Sequence, residues 1–358
     1  MSERNYLLYQ LGFTSFFEEQ LKENNDLGLD IARITSEHKE RYTVKSEYGE
    51  SEGEVIGNLR FAAESRADFP VVGDWVLVSS YDEGKVLIHK VLKRKNILRR
   101  QAVNRESEVQ IIAANIDYAF IVESVNRDFS INRFERYITL CYDAGIEPIL
   151  VLNKSDLIND QELIEIQNTI KQRIANVSLI ISSCISNDGI SEIEKFINPE
   201  KTYCFLGSSG VGKSTLINLI SHKEILKTNV ISELTQRGKH TTTHRELILL
   251  ENGGVLIDNP GMREVGIADA SKGLDQTFFI ITELAHQCKY RDCTHHDEDG
   301  CAVIEALNKG ELDADSYQNY LKMFKENQHY QSSEIEKKQK GKRLSKHIKQ
   351  FKNRKDWH

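Results

Sequence analysis

The first third of the chain is predicted to form a small β-barrel. Between about 28 and 101, five stretches rich in apolar and β-branched residues are candidate strands: LDIARITSEH, RYTVKSEY, EVIGNLR, DWVLVSS and KVLIHKVL. The breaks between them, YGESEG, DFPVVGD and YDEG, are rich in turn-forming residues. Five or so short strands at this spacing favour a small closed barrel, and the phrase FPVVGDWVLV resembles the entry to an OB-type barrel strand. A β-domain that binds no ligand would have the same pattern, so the barrel alone does not indicate a function.

The pattern changes between about 107 and 266, where strands and helices alternate. The runs YAFIVES, EPILVLN, LIIS and YCFLG are continuously apolar, as in parallel strands that are buried on both faces. The segments INRFERYITLCYDAG, DQELIEIQNTIKQRI and SEIEKFI carry apolar residues at helical spacing. Together they predict a doubly wound α/β domain. We therefore divide the chain into an N-terminal region with the barrel (1–104), an α/β domain (105–266), a mostly helical module (267–330) and a tail (331–358).

The composition is that of an ordinary globular protein with two or three domains. Of its 358 residues, 39% are hydrophobic and 28% are charged. No apolar run approaches the roughly 20 residues that span a bilayer, and the polar start MSERNYLLYQ does not resemble a signal peptide. We expect a cytoplasmic, monomeric protein that makes no contact with a membrane.

Charge is unevenly distributed along the chain. The net charge is −7, yet the segment KKQKGKRLSKHIKQFKNRK (337–355) contains ten lysines and arginines and no acidic residue. A second basic cluster follows the barrel strands at Lys90, Lys93, Arg94, Lys95, Arg99 and Arg100. A basic arm on an acidic body is typical of a protein that docks on a polyanion. A solvated, half-disordered tail is the alternative interpretation.

Residues 207–215, GSSGVGKST, match the phosphate-binding loop pattern G-x-x-x-x-G-K-[ST]. An apolar strand (YCFL) precedes the loop and a helix (TLINLI) follows it, as the pattern requires. Backbone N–H groups of such a loop surround the phosphates, Lys213 would contact the β- and γ-phosphates, and Ser214 could bind Mg²⁺. A glycine-rich turn with a purely structural role is the alternative. The candidate binding residues are Gly207, Ser208, Ser209, Gly210, Val211, Gly212, Lys213, Ser214 and Thr215.

A second motif predicts that the base is guanine. The strand ILVL is followed by Asn153, Lys154 and Asp156, which resemble the N-K-x-D motif of GTPases. The Asp156 carboxylate can accept hydrogen bonds from guanine N1–H and the 2-amino group, and adenine has neither donor. Without a phosphate-binding loop in the chain, a strand-ending turn with a helix cap would be the better explanation of NKSD. Ser182 and Ser183, at the end of LIIS, resemble the weaker element whose backbone N–H contacts the guanine carbonyl.

The segment VLIDNPG (255–261) resembles the D-x-x-G motif. In that motif Asp258 would supply a carboxylate to the Mg²⁺ shell, and the N–H of Gly261 would sense the γ-phosphate. Between this segment and the phosphate loop lies RGKHTTTHRE (237–246). One of its threonines, Thr241, Thr242 or Thr243, is the expected switch threonine, and we take Thr242 as the candidate. Met262 and Arg263 follow Gly261, where many GTPases have a water-orienting glutamine, so slow intrinsic hydrolysis is expected. His240 could polarise the water, although an exposed loop histidine without a role has the same signature.

Residues 288–301, CKYRDCTHHDEDGC, predict a structural Zn²⁺ site. Cys288, Cys293, His295 and Cys301 would form a closed tetrahedral set of three thiolates and one imidazole. His296 could replace its neighbour His295. Three unrelated buried cysteines are the alternative, and they are improbable in so short and polar a segment.

The motifs occur in an unusual order, with NKSD ahead of the phosphate loop and Asp258 last. With a barrel before them and a Cys/His cluster after them, the chain over roughly 30–330 resembles the family of small-ribosomal-subunit-dependent GTPase A (RsgA), which are circularly permuted GTPases. The resemblance implies an OB-fold, a permuted GTPase domain and a zinc module. It also implies binding to the small ribosomal subunit and its rRNA late in maturation, and GTP hydrolysis that is faster there. The family's proposed catalytic histidine matches His240, and its zinc pattern favours His295.

Three functions are therefore open. The first is a ribosome-assembly GTPase, and the second is a GTP-gated RNA-binding protein in which hydrolysis is incidental. The third is a metabolic P-loop kinase with an accessory zinc module, against which stand the guanine-reading motif and the lack of a recognisable acceptor site. Salt-dependent binding to rRNA would separate the first two from the kinase. Stimulation of hydrolysis by ribosomal particles would separate the first from the second.

Overall fold

The computed structural model describes residues 3–23, 28–38, 41–101, 109–126, 129–224, 245–258 and 270–331. Its contacts divide the chain into two units. One unit comprises Met1–Arg99 and Gln110–Val265, and the other comprises Arg100–Val109 and Gly266–His358. No helix among the described residues is long and apolar enough to cross a membrane.

The predicted OB-type barrel is confirmed. Five strands follow the order β1-β2-β3-β5-β4, and a further pairing of β1 with β4 closes the barrel. All pairings are antiparallel except that of β3 with β5. Inward-facing aliphatic side chains, among them Ile34, Val44 and Ile88, form its core. The strands are β1 (Asp30–His38), β2 (Arg41–Ser46), β3 (Gly49–Val55), β4 (Trp75–Asp82) and β5 (Lys85–Val91).

The third strand differs from the prediction. The segment YGESEG, expected to be a break, lies largely in β3, and the second half of EVIGNLR is instead the helix α3 (Gly57–Ala62). Burial alternates along β3, but its inward positions before Val55 are glycine or serine, and glutamates occupy the outward ones. Gly53 lies so close to Val44 and Ile88 that a Cβ would be 3.1 Å from each. Because small residues fill these inward positions, the strand lacks the apolar alternation by which strands are predicted.

An N-terminal helical hairpin, which the apolar pattern did not predict, packs on the barrel. It consists of α1 (Glu3–Gln10) and α2 (Ser15–Glu23). Phe13 and Phe17 are buried against Trp75, and the ring centroids of Phe13 and Trp75 are 4.9 Å apart. The side chain of Gln20 donates to the Lys93 carbonyl (3.1 Å) and accepts from the Lys93 N–H (2.7 Å). The hairpin therefore belongs to a hydrophobic cluster outside the barrel interior, which includes Trp75 and Leu77 of β4 and continues into the α/β domain.

The predicted doubly wound α/β domain is also confirmed. Its strands follow the order β10-β9-β8-β11-β13-β12; all neighbours are parallel except β13 and β12. Two hydrophobic clusters lie on opposite faces of the sheet, one under α4 and α5 and the other under α6 and α7. The strands are β8 (Tyr118–Ser124), β9 (Glu147–Asn153), β10 (Ser178–Ile181), β11 (Thr202–Leu206), β12 (Glu246–Leu249) and β13 (Val255–Asp258). The helices are α4 (Ile131–Ala144), α5 (Asp160–Arg173), α6 (Ile190–Phe196) and α7 (Lys213–Ile220).

The barrel and the α/β domain share one hydrogen-bonded sheet. Strand β1 of the barrel pairs antiparallel with β12, with Ser36 opposite Glu246, which gives a sheet of eleven strands. In the sequence between the barrel and the α/β domain, β6 (Ile97–Gln101) and β7 (Val109–Ala114) pair to form a separate two-stranded sheet.

Arg33 on β1 is fully buried where the hairpin, the barrel and the α/β domain meet. Its guanidinium donates to the carbonyls of Leu11, Gly73 (3.2 Å) and Asn115 (3.3 Å) and to the Thr202 hydroxyl (3.0 Å). Burial lowers the pKa of Arg33 to about 10, which the carboxylates of Asp117 and Asp74 oppose. The side chain therefore stays charged at neutral pH, and one residue satisfies acceptors from three parts of the unit.

Replacing Arg33 with Met should lower the free energy of unfolding of this unit by about 3 to 5 kcal/mol, because it removes the buried donor of the Leu11 and Asn115 carbonyls and of the Thr202 hydroxyl. Urea unfolding followed by circular dichroism measures the change. Arg41→Met, on an exposed side chain of the same barrel, is the matched control and should stay within about 0.5 kcal/mol of the unsubstituted protein. Equal midpoints for the two variants would show that Arg33 carries no such role.

The second unit is mostly helical, as predicted. It contains α8 (Ser271–Thr277), α9 (Phe279–Ala285), α10 (Ala302–Lys309) and a further helix over 314–331. Its core combines aliphatic and aromatic side chains, including Leu274, Val303 and Tyr320, with the buried Cys301. The segment that carries the predicted metal ligands lies between α9 and α10.

Candidate nucleotide and metal sites

The predicted phosphate loop connects two elements as expected. Strand β11 ends at Leu206, helix α7 begins at Lys213, and the six residues between them form the loop. Gly207 and Gly212 have φ angles of 139° and 103°. A Cβ on Gly207 would collide with the Val122 carbonyl, and one on Gly212 would collide with the Asn153 side chain. Both positions therefore require glycine for conformation and for space.

Lys213 lies in the first turn of α7 with its ammonium folded onto the loop. Its Nζ donates to the carbonyls of Gly207 (2.8 Å) and Ser208 (2.6 Å). Burial lowers the pKa of Lys213 to about 8, and the carboxylates of Asp258 and Glu123 oppose this shift. Ser214 and Thr215 follow in the same turn, partly exposed. The N-terminus of α7 and a cation thus lie together, which suits an anionic ligand.

Asp258 ends β13, the strand that pairs with β11 in parallel, so the two strand ends lie side by side. Its carboxyl is buried, and burial raises its pKa to about 6, which Lys213 opposes and Glu246 reinforces. A bound cation would favour the ionised form of this carboxyl. A carboxylate oxygen from Asp258 and a hydroxyl oxygen from Ser214 are donors that suit Mg²⁺.

The predicted base-reading loop is bound directly to the phosphate loop. Strand β9 ends at Asn153, whose buried side chain donates from Nδ2 to the Val211 carbonyl (2.8 Å) and accepts from the Ser182 hydroxyl (3.1 Å). Lys154, at a φ of 64°, donates from Nζ to the Gly210 carbonyl (2.6 Å). Asn153 and Lys154 of the base-reading motif are therefore hydrogen-bonded to two carbonyls of the phosphate loop.

Asp156 and the third motif are also adjacent. The Ser183 hydroxyl donates to Asp156 Oδ1 (2.5 Å), and the Ser155 N–H donates to the Ser182 carbonyl (3.1 Å). The backbone N–H groups of Ser182 and Ser183 donate to the carbonyls of Leu152 (2.9 Å) and Asp188 (3.1 Å). A contact from either of these N–H groups to a guanine carbonyl would have to share or replace such a bond.

The four predicted zinc ligands converge in the second unit. The ligand atoms of Cys288, Cys293, His295 and Cys301 all lie within 4.8 Å of one another. Sγ of Cys288 is 3.9 Å from Sγ of Cys301, and His295 Nδ1 is 3.7 Å and 3.5 Å from these two sulfurs. Ligands at tetrahedral Zn–S and Zn–N distances would be about 3.5 to 3.8 Å apart, so the cluster fits Zn²⁺.

The segment around the cluster explains why His295, not His296, belongs to it. Glu298 accepts hydrogen bonds from the N–H groups of Thr294 (2.7 Å) and His296 (3.0 Å), which turns the chain between them. Hydrogen bonding, above all from the Thr294 hydroxyl, lowers the pKa of Glu298 to about 2. The Tyr317 hydroxyl donates to the His295 carbonyl. His295 is thereby buried, whereas His296 is exposed.

Comparison with known proteins agrees with this geometry. The model of the RsgA GTPase family matches residues 91–268. Small ribosomal subunit biogenesis GTPase RsgA 2 of Listeria monocytogenes is 41% identical over 89% of each chain. RsgA 2 of Lactiplantibacillus plantarum is 39% identical over 96% of this chain and 97% of its own. The chain belongs to the RsgA GTPase family.

Two solved structures extend the comparison to the fold. The crystal structure of YjeQ from Thermotoga maritima has a TM-score of 0.63 and 26% identity, over 83% of this chain and 98% of its own. YloQ, described as a circularly permuted GTPase, has a TM-score of 0.61 and 26% identity, over 86% and 97% of the two chains. This RsgA-family protein is thus a GTP hydrolase with permuted motifs, as the motif order predicted.

Although the motifs are permuted along the sequence, they still lie close together in space. Strands β9, β8, β11 and β13 are parallel neighbours, so their carboxyl ends, and the motifs that follow them, meet at one edge of the sheet. Of the predicted site residues, His240, Thr241, Thr242, Thr243 and Gly261 lie outside the described residues. Their roles stay predictions.

The structure adds three residues to the surroundings of the phosphate loop that sequence reasoning missed. Glu123, fully buried at the end of β8, accepts from Arg133 through both carboxylate oxygens (Nε–Oε1 3.0 Å and Nη2–Oε2 2.9 Å). Tyr137 of α4 is buried, and burial raises the pKa of its hydroxyl, a shift that a hydrogen bond with the Ser208 side chain opposes. A glutamate within the apolar run YAFIVES was the available signal, because a charge in a strand buried on both faces needs a partner.

Proposed function

We propose that this RsgA-family GTPase binds the small ribosomal subunit and acts in its late maturation, with hydrolysis stimulated by the subunit. The observation that carries the proposal is the match to proteins named as small ribosomal subunit biogenesis GTPases over nearly their whole length. The joined base-reading and phosphate loops support the nucleotide half of the proposal independently.

For the nucleotide, we assign the base to Asp156, with Asn153 and Lys154 bracing the loop and Ser182 and Ser183 beside them. The phosphates would lie in the loop from Gly207 to Thr215, with Lys213 against the β- and γ-phosphates. Ser214 and Asp258 would hold Mg²⁺, which neutralises developing phosphate charge when bound. Thr242 and Gly261 would close on the γ-phosphate, and His240 would polarise the attacking water.

In the second unit, we assign one structural Zn²⁺ to Cys288, Cys293, His295 and Cys301. Four protein ligands fill a tetrahedral site and leave no position for a substrate, so a structural role follows. The metal would hold the segment between α9 and α10 in the conformation that the Glu298 hydrogen bonds already favour.

For the partner, we assign the rRNA contacts to the barrel, the second unit and the basic segments. In the basic cluster that follows the barrel strands, Arg94 forms an ion pair with Asp74. Lys90 is half-buried, and Lys93 is exposed. Residues 337–355 supply ten of the 47 lysines and arginines of the chain, with no acidic residue among them. A protein with this partner works in the cytoplasm, and we expect it to act as a monomer.

The test is steady-state hydrolysis of GTP and ATP with and without purified small subunits. We expect slow GTP turnover alone, no ATP turnover, and stimulation by small subunits of at least about 10-fold. An activating partner accelerates other GTPases by about 10³ to 10⁵, and here no glutamine follows Gly261. Large subunits are the matched control for the partner, and Lys213→Ala is the control for contaminating hydrolases.

Two other outcomes would lead to different functions. GTP turnover that small subunits leave unchanged, together with GTP-dependent binding to them, would favour a nucleotide-gated RNA-binding protein. GTP turnover without any binding to the subunit would remove the proposed partner and retain the enzyme.

A further inference from the structure

Strand β12 brings a second carboxylate next to Asp258. In the antiparallel pairing of β12 with β13, Glu246 lies directly opposite Asp258. The side chains of two directly opposite residues project from the same face of a sheet, with their Cβ atoms about 4.5 to 5.5 Å apart. The first residue of β12 and the last residue of β13 therefore place their carboxylates side by side at the edge of the sheet where the nucleotide motifs meet.

The hydrophobic clusters show which face of the sheet carries this pair. Ile248 and Leu256, two positions inward from the two carboxylates, are opposite each other and belong to the cluster under α6 and α7. Leu247 and Ile257, which project from the other face, belong to the cluster under α4 and α5. Because side chains alternate along a strand, both carboxylates project from the face that α6 and α7 cover.

The first turn of α7 lies on that face and carries Lys213 and Ser214. Asp258 is buried, whereas Glu246 is exposed on the next strand of the sheet. Within the described part of the chain, no lysine or arginine forms an ion pair with Glu246. Like charges that lie directly opposite each other destabilise a sheet, so the pair leaves negative charge that a bound cation would compensate.

We propose that Glu246 is a further residue of the Mg²⁺ site, and that it accepts hydrogen bonds from water molecules that Mg²⁺ retains when Ser214 and Asp258 hold it. Mg²⁺ loses its water reluctantly and is usually bound by one or two carboxylates together with phosphates. Groups that surround the direct ligands of a metal typically contribute about 10- to 100-fold to its affinity. The inference rests on the proposed binding of nucleotide and Mg²⁺ at this site.

The test is the Mg²⁺ dependence of the release of fluorescently labelled GDP, a nucleotide that leaves no hydrolysis to interfere. Glu246→Gln should raise the Mg²⁺ concentration that half-maximally slows GDP release by about 10-fold, at the low end of the range because the side chain is exposed. Glu251→Gln is the matched control, since it removes the same charge from an exposed side chain at the opposite end of β12. That variant should change the Mg²⁺ requirement by less than about 2-fold.

Thermal unfolding of the GDP-bound protein separates a role toward the metal from a structural one. Without Mg²⁺, Glu246→Gln should keep or raise the unfolding midpoint, because it removes repulsion from Asp258. With Mg²⁺, the midpoint should rise less than it does in the unsubstituted protein, because the metal binds more weakly.

Three results would overturn the inference. One is an unchanged Mg²⁺ requirement for Glu246→Gln, and another is an equal change for Glu251→Gln, which would reflect net charge alone. The third is an unfolding midpoint that falls by the same amount with and without Mg²⁺, which would make Glu246 a structural residue. Failure of the proposed function looks different, because the unsubstituted protein would then not bind GDP or would release it at a rate independent of Mg²⁺, and the inference would fall with it.

Discussion

Replacing Asp156 with Asn should lower the affinity for GTP by at least about 10²-fold and create a preference for XTP. A carboxylate accepts from both guanine N1–H and the 2-amino group, whereas an asparagine amide would point an N–H at that amino group. Xanthine carries a carbonyl at this position and would accept from the amide. Sites built around such hydrogen bonds discriminate by about 10⁴ or more. Competition of GTP, XTP and ATP against a fluorescent nucleotide measures the change.

Asp160 provides a control for the loss of negative charge in Asp156→Asn. Asp160, four residues later at the start of α5, is exposed, and Asp160→Asn removes the same charge. We expect less than a 2-fold change in GTP affinity for that variant. If Asp156→Asn kept its GTP affinity and ignored XTP, the base would be read elsewhere. The hydrogen bond from Ser183 to Asp156 Oδ1 would then have only a structural purpose.

Replacing Cys301 with Ser should remove zinc from the protein and unfold the core of the second unit. A structural zinc site contributes about 10 to 16 kcal/mol in small modules, as much as or more than the whole stability of a typical domain. Cys301 also belongs to the hydrophobic core, beside Val303 and Leu312. Metal analysis should find one zinc per chain before the change and almost none after it. Hydrogen exchange over 270–331 should become much faster.

Removal of the metal by a chelator provides a second route to the same state. It should accelerate exchange in 270–331 while exchange in strands β8 and β9 stays slow. Cys184→Ser is the matched control, because Cys184 lies outside the cluster and its loss should leave the zinc content unchanged. Unchanged exchange after complete metal removal would show that the helices hold the fold without zinc.

The α/β domain could be predicted from the sequence because its strands are continuously apolar. The run EPILVLN became β9 with the same bounds, and the ends of such runs placed Asn153 and Lys213 correctly. Strand β3 could not be predicted, since glycine and serine at its inward positions look like a turn. The helical hairpin was missed as well, because its short helices are stabilised mainly by burial of Phe13 and Phe17 against Trp75.

The sequence motifs predicted which residues lie together at the candidate nucleotide site, but they did not predict the hydrogen bonds between those residues. The contact between Asn153 and the Val211 carbonyl links positions 58 apart, and it depends on loop conformations that spacing does not fix. Tyr137 is one of several apolar positions in an amphipathic helix, so its sequence context predicts only burial. Its hydroxyl contact with Ser208 follows from where α4 packs, which only the tertiary structure gives.

The pairing of β1 with β12 has a consequence for association between copies of the chain. Unpaired strand edges can template strand-by-strand aggregation or accept a strand from a partner, and the outer side of β12 would otherwise be such an edge. Closure of the barrel removes the edges at its other end. Within the described part of the chain, β10 is therefore the strand of this sheet that has a single neighbour, and it is four residues long. So short an edge is a poor template for pairing with a strand of another copy.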